Sequence, residues 1–166
     1  LADAAALSEL AQTVPDSAGA VFVPALAGLG APHWDDGATG LITGMTHATS
    51  RAHLARATFE AIALQIADVF AAMQADIGAP LAELRADGGA SGNDFLMQMQ
   101  ADVLNLPVQT LEVPEVGALG VAAMAFGLLG VDLPPLAASR RFAPLGNPGV
   151  PGLKARWHMA LQRALR

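Results

Sequence analysis

The chain contains no cysteine. That excludes disulfides and thiolate metal ligation, and it is compatible with a reducing compartment. Charge is also scarce, with Asp, Glu, Lys and Arg together at 14% of 166 residues and a net charge of −6. No run of Lys and Arg occurs, and Arg140-Arg141 is the densest basic point. Binding to a nucleic-acid backbone is therefore not expected. No apolar run reaches the roughly 18 residues of a bilayer-spanning helix, so no membrane partner is expected either. The opening LADAAALSELAQ lacks a basic start and carries Asp3 and Glu9, unlike a secretory signal. A cytoplasmic setting and a small-molecule ligand fit these absences best.

What is present is apolar and small. Hydrophobic residues make up 53% of the chain, and Ala and Gly are abundant. That composition suits helices packed closely against a sheet, in one domain over residues 1–166. Residues 2–13 read as a helix with Ala6, Leu7, Leu10 and Ala11 on one face. AGAVFVPAL (18–26) reads as a buried strand, AGLGAPHWDDGATG (27–40) as a long loop and LITGMT (41–46) as a second strand. Thr49 or Ser50 is placed to cap a long helix that stops at Gly78, with Pro80 beyond. Its apolar positions are Leu54, Ala57, Ala61, Leu64, Ile66, Val69, Phe70 and Met73. A strand over 82–87, a helix over 93–104, a strand over 107–113 and a small-residue helix over 117–130 follow. In that last helix Gly117, Gly120 and the alanines permit close approach to a sheet. Residues 131–152 read as a Pro-rich tail and 153–165 as a terminal helix, leaving a core over about 17–130. The alternation predicts an α/β fold with helices covering a sheet.

The stretch LRADGGASGNDFLMQMQADVLNLPV (84–108) is the most informative. It joins a short strand to a helix through Gly88-Gly89, and three readings are open. Paired glycines let a backbone approach a ligand, and a helix start offers free N–H groups to anions, which makes a nucleotide site. Gly89-Ala90-Ser91-Gly92-Asn93 nearly spells G-x-S-x-G, the serine nucleophile elbow, with Asp132 and His158 in triad order. The plainest reading is a tight turn between core elements. Elsewhere, His33, Asp35, Asp36, His47 and His53 gather in and after the first loop, but without the helical spacing of a zinc motif, so no metal site is expected.

Residues 40–61, GLITGMTHATSRAHLARATFEA, resemble the second signature of the FGGY carbohydrate kinases. Gly40, Ile42, Gly44 and Met45 stand in place, and His53-Leu54 and Ala57-Thr58-Phe59-Glu60 follow after the required gap. VPALAGLGAPHWDDGATG, the glycine turn and PEVGALGVAAMAFGLLG resemble the glycerol kinase branch of that family, over about residues 17–130. The resemblance implies an actin-like, ribonuclease-H-type ATPase fold in two lobes, with a mixed sheet covered by helices. This chain would be most of the second lobe, partnered by the N-terminal lobe of the same protein. It implies that Gly88 and Gly89 let backbone lie against the nucleotide, ATP or ADP, and that Asn93 hydrogen-bonds it. Magnesium, the catalytic base and the other phosphate contacts are implied to lie mainly outside this chain. The acceptor is implied to be glycerol or another sugar or polyol, such as a pentulose; the competing reading is a non-catalytic nucleotide-binding domain. Departures bear on that choice. His33 stands where glycerol kinases commonly have Tyr, Thr39 and His47 where Arg is usual, and Asp94 where a second Asn is usual.

Overall fold

The computed structural model describes residues 4–111, 116–131, 133 and 138–165. Helix α1 covers Ala4–Gln12, and the short strands β1 (Val21–Val23) and β2 (Leu41–Thr43) pair antiparallel, Phe22 opposite Ile42. Helix α2 runs over Arg51–Ile77, and β3 (Leu84–Ala86) leads through a 3-10 turn at Gly89–Gly92 into α3 (Asp94–Leu104). Strand β4 (Val108–Leu111) lies parallel to β3, and β5 (Ala138–Phe142) lies antiparallel to β4, giving the order β3-β4-β5. Helices α4 (Val116–Leu128) and α5 (Val150–Ala164) complete the order.

The long helix is built as its sequence indicates. Ser50 is the N-cap: its hydroxyl accepts from His53 N–H, while His53 Nδ1 accepts from Ser50 N–H at 3.0 Å, a reciprocal capping box. Gly78 ends it in the left-handed region, at φ 68°. The face that packs is set by alanine more than by the larger residues expected there. Ala55, Ala57, Ala61 and Ala63 are buried with Phe59, Leu64 and Phe70, whereas Met73 is half exposed and Leu54, Ile66 and Val69 are partly covered. The reason is that α1, α3, α5 and β1 all contact α2, and small side chains let several elements approach one rod. The last two turns of α2 project past these neighbours.

Two polar anchors lie inside this packing. Gln100 of α3 is fully buried and donates from Nε2 to the Ala63 carbonyl of α2 at 3.1 Å. Trp157 of α5, 1% exposed, donates from Nε1 to Asp68 Oδ2 of α2 at 2.7 Å. Phe59 and Phe95 meet edge to face, centroids 5.3 Å apart, with the Arg56 guanidinium over the Phe95 ring. Glu60 is buried beside Arg56, whose Nε donates to Glu60 Oε1 at 3.1 Å. Burial pushes the Glu60 carboxyl above its ordinary value, against the opposing pull of Ser17, Arg56 and Arg156.

Two expectations are revised. No residue of α4 is buried, so this helix does not lie on the sheet among the described residues; a Cβ on Gly117 or Gly120 would meet nothing within 4 Å. The stretch read as a Pro-rich tail contains β5, and the terminal helix begins at Val150 rather than Leu153. β5 escapes notice because Ser139-Arg140-Arg141 has no apolar alternation, being an edge strand with exposed residues.

Gly44, inside the signature stretch, has an internal reason to be glycine. Its φ is 74°, and a Cβ there would sit 2.1 Å from the Gly19 carbonyl oxygen. Gly44→Ala should therefore cost roughly 2–4 kcal/mol in denaturant unfolding. Gly30→Ala, where a Cβ meets nothing within 4 Å, should change stability by less than about 0.5 kcal/mol. Equal effects at the two positions would refute the steric account of the signature glycine.

Glu60 generates a pH prediction. Its folded carboxyl holds a proton more tightly than the unfolded one. The native state therefore binds more protons between the ordinary value of 4.5 and the raised one, and this contribution to stability falls as pH rises through that window. Glu60→Gln, which cannot ionise, should flatten the fall. Urea titrations across that window measure it; an unchanged slope refutes the assignment to Glu60.

Candidate nucleotide turn

The turn after β3 is held by its own atoms. Gly88 has φ 83° and ψ 177°, a region that side-chain-bearing residues essentially never enter. Ser91 then closes the turn: its N–H and its hydroxyl both donate to the Gly88 carbonyl, at 3.0 and 2.8 Å. Ser91 is buried, whereas Gly88 is partly exposed and Gly89 exposed. Asn93 caps α3, its Oδ1 accepting from Leu96 N–H at 3.0 Å and facing Ser8 Oγ of α1 at 3.5 Å. Its side-chain oxygen is thus engaged in the fold, and the amide NH2 is the group that remains for a ligand.

The two glycines differ in kind. Gly88 is required by backbone conformation. Gly89 has no such requirement, and a Cβ built on it meets nothing within 4 Å. Nothing inside the described structure explains a bare backbone at Gly89, while a flat ligand lying on the turn would. The residues therefore fit a nucleotide: an open, side-chain-free surface, next to the first turn of an eleven-residue helix. A cavity of about 550 Å³ lies elsewhere, between α2, α3 and α5, lined by Arg56, Glu60, Phe95 and Arg156. Asn93 instead opens on a shallow cleft of about 290 Å³ beside Ser8, Glu9 and Gln12 of α1. No sequence signal pointed to α1 as a neighbour of Asn93, because the two are 85 residues apart.

The serine elbow is not assembled. The Ser91 hydroxyl is spent on Gly88, and His158, its expected base, faces Asp68 Oδ1 at 3.7 Å on α5. Asp132 lies outside the described residues. The histidines and carboxylates of the first loop go separate ways. His33 Nε2 lies 3.6 Å from Asp68 Oδ2, Asp35 Oδ1 accepts from Gly37 N–H at 2.9 Å, and His53 serves the cap of α2. Among the described residues no group of three or more His, Asp or Glu side chains converges on a point where a metal ion would sit.

Residues 1–128 match the model of the C-terminal domain of the FGGY family of carbohydrate kinases. The glycerol kinase of Acinetobacter baylyi is 49% identical over 167 residues, covering 96% of this chain and 34% of the relative. That of Bordetella parapertussis is 57% identical over 119 residues, covering 72% of this chain and 23% of the relative. Among solved structures, Plasmodium falciparum glycerol kinase with ADP superposes with a TM-score of 0.84 at 27% identity, over 100% of this chain and 35% of that one. Xylulose kinase from Lactobacillus acidophilus superposes at 0.80 and 26% identity, over 95% of this chain and 33% of that one. The chain spans about a third of the length of these relatives. A signature helix, a glycine turn and a mixed sheet in this order, matched over residues 1–128, identify the chain as a member of the FGGY carbohydrate kinases with their actin-like fold.

Proposed function

We propose that the parent protein is an ATP-dependent glycerol kinase and that this chain is the lobe gripping the nucleotide. The observation that carries the reading is Gly89, a bare and exposed backbone position that the fold itself does not need. The 49% identity to a glycerol kinase across nearly the whole chain supports the acceptor. ATP, when bound, supplies the γ-phosphoryl group that passes to the acceptor hydroxyl. Gly88 sets the turn, Gly89 leaves room for the nucleotide's flat face, and the Asn93 amide donates a hydrogen bond to it. The base for the acceptor hydroxyl and the magnesium ligands belong to the remainder of the parent protein. So does the opposite wall of the cleft, whose closure excludes water. The edge of β3, unpaired among the described residues, and the apolar side of α4, with Val121, Met124 and Leu128 exposed, fit cover by that remainder. No described helix is long and apolar enough to cross a membrane, and a cytoplasmic enzyme is the proposed setting. A pentulose kinase is the second reading, favoured by the likeness to xylulose kinase and by His33, Thr39 and His47.

ADP release by the full-length protein, measured with glycerol and then with pentuloses, decides between acceptors. Glycerol-dependent turnover is expected. Turnover with xylulose alone would replace the acceptor, and turnover with neither would remove the kinase reading.

Two substitutions test the turn in the same protein. Gly89→Val leaves the backbone unstrained, since the positive φ belongs to Gly88, so the melting temperature should hold while ATP affinity falls by tenfold or more, roughly 1.4 kcal/mol. Asn93→Ser keeps a helix cap but removes the amide donor, and should cost roughly 1 kcal/mol of nucleotide binding, several-fold in affinity. Calorimetry with ADP reads both. Unchanged affinity in both would take the nucleotide off this turn.

A further inference from the structure

We propose that Arg140 is a positioning residue for the nucleotide turn, acting from the edge strand β5. The inference rests on the reading of Gly88–Asn93 as the nucleotide surface. From β5 the Arg140 guanidinium reaches two groups far away in sequence. Its Nη1 donates to Asp94 Oδ1, in the first turn of α3, and its Nη2 donates to the Ser91 carbonyl at 3.1 Å. Ser91 is the residue whose N–H and hydroxyl close the turn onto Gly88. One planar fork therefore ties the closing residue of the turn and the start of the helix to the sheet. The guanidinium also lies 5.8 Å from the centroid of the Phe142 ring, two residues along the same strand.

The chemistry favours arginine over lysine here. A guanidinium presents donors in a fixed plane and serves a carboxylate and a carbonyl together, whereas an ammonium is a single point. The pairing also sets a positive charge against the Asp94 carboxylate, which otherwise stands unopposed next to the surface that an anionic nucleotide approaches. Global stability is not where this contact acts. Arg140 and Asp94 are both exposed, 41% and 65% at the side chain, and exposed ion pairs add little to folding. What it restrains is local: Ser91 closes the turn onto Gly88 from within, and the Arg140 fork sets that closed turn against β5.

The test is steady-state kinetics on the full-length protein. Arg140→Ala should raise KM for ATP by about tenfold while leaving KM for the acceptor and the melting temperature in place. Arg140→Lys, which keeps the charge but not the fork, should recover less than half of that change. If Arg140→Ala gives no soluble protein, Arg140→Lys carries the test with an expected rise of about sixfold. Gly89→Val is run beside them. If it leaves KM for ATP unchanged, the nucleotide reading of the turn fails and the proposal with it. If Gly89→Val raises KM for ATP and neither Arg140 variant does, the turn stands and the role of Arg140 is overturned. An equal rise in both KM values, or a lowered melting temperature, makes Arg140 a general structural contact and also overturns it.

Discussion

Everything in this lobe is measured from α2. The helix is 27 residues long and buries alanines where most helices bury leucine, so α1, α3, α5 and β1 come close to its backbone. Such proximity allows the side chain of Gln100 to reach a main-chain carbonyl of α2, and Trp157 to reach Asp68. Both bonds are short-range and directional. They fix α3 and α5 against α2 in a way that apolar contact alone, being non-directional, does not.

The glycine turn inherits its place from this arrangement. β3 and β4 are parallel neighbours, and α3 is the crossover between them. Once α3 is docked on α2 through Gln100 and the Phe59–Phe95 contact, its N-terminus points where the turn must be. Gly88 then takes a backbone conformation closed to other residues, and Ser91 locks it with two bonds to one carbonyl. The outcome is a rigid corner whose outward surface is main chain. Rigidity and bareness together suit a flat, partly anionic ligand, because little conformational freedom is lost when it lands.

The signature stretch serves structure more than chemistry. Ser50 and His53 cap α2, Gly44 admits the Gly19 carbonyl, and Glu60 lies buried against Arg56. A long family pattern here records how the central helix is started and how its hairpin is packed. The cavity of about 550 Å³ flanked by Arg56, Glu60 and Arg156 lies away from the glycine surface, and its charged groups face one another.

Local sequence chemistry by itself determined the elements whose signals are short-range: the capped start of α2 at Thr49 or Ser50, its glycine stop, the strand–turn–helix unit at 84–104, and the strand after it. Caps, glycine conformations and apolar periodicity act over a few residues, so they are legible without the fold. The glycine pair as a conformationally special turn was legible for the same reason. Tertiary structure decided the rest. It separated Gly88, which the backbone requires, from Gly89, which it does not. It engaged the Asn93 oxygen as a helix cap beside α1. It made a strand of the Ser139–Phe142 region, whose exposed arginines carry no strand periodicity, because β4 offers it hydrogen bonds. It left α4, apolar on every side, with no buried residue. Each of these depends on which distant group stands opposite a residue, and no local pattern encodes that.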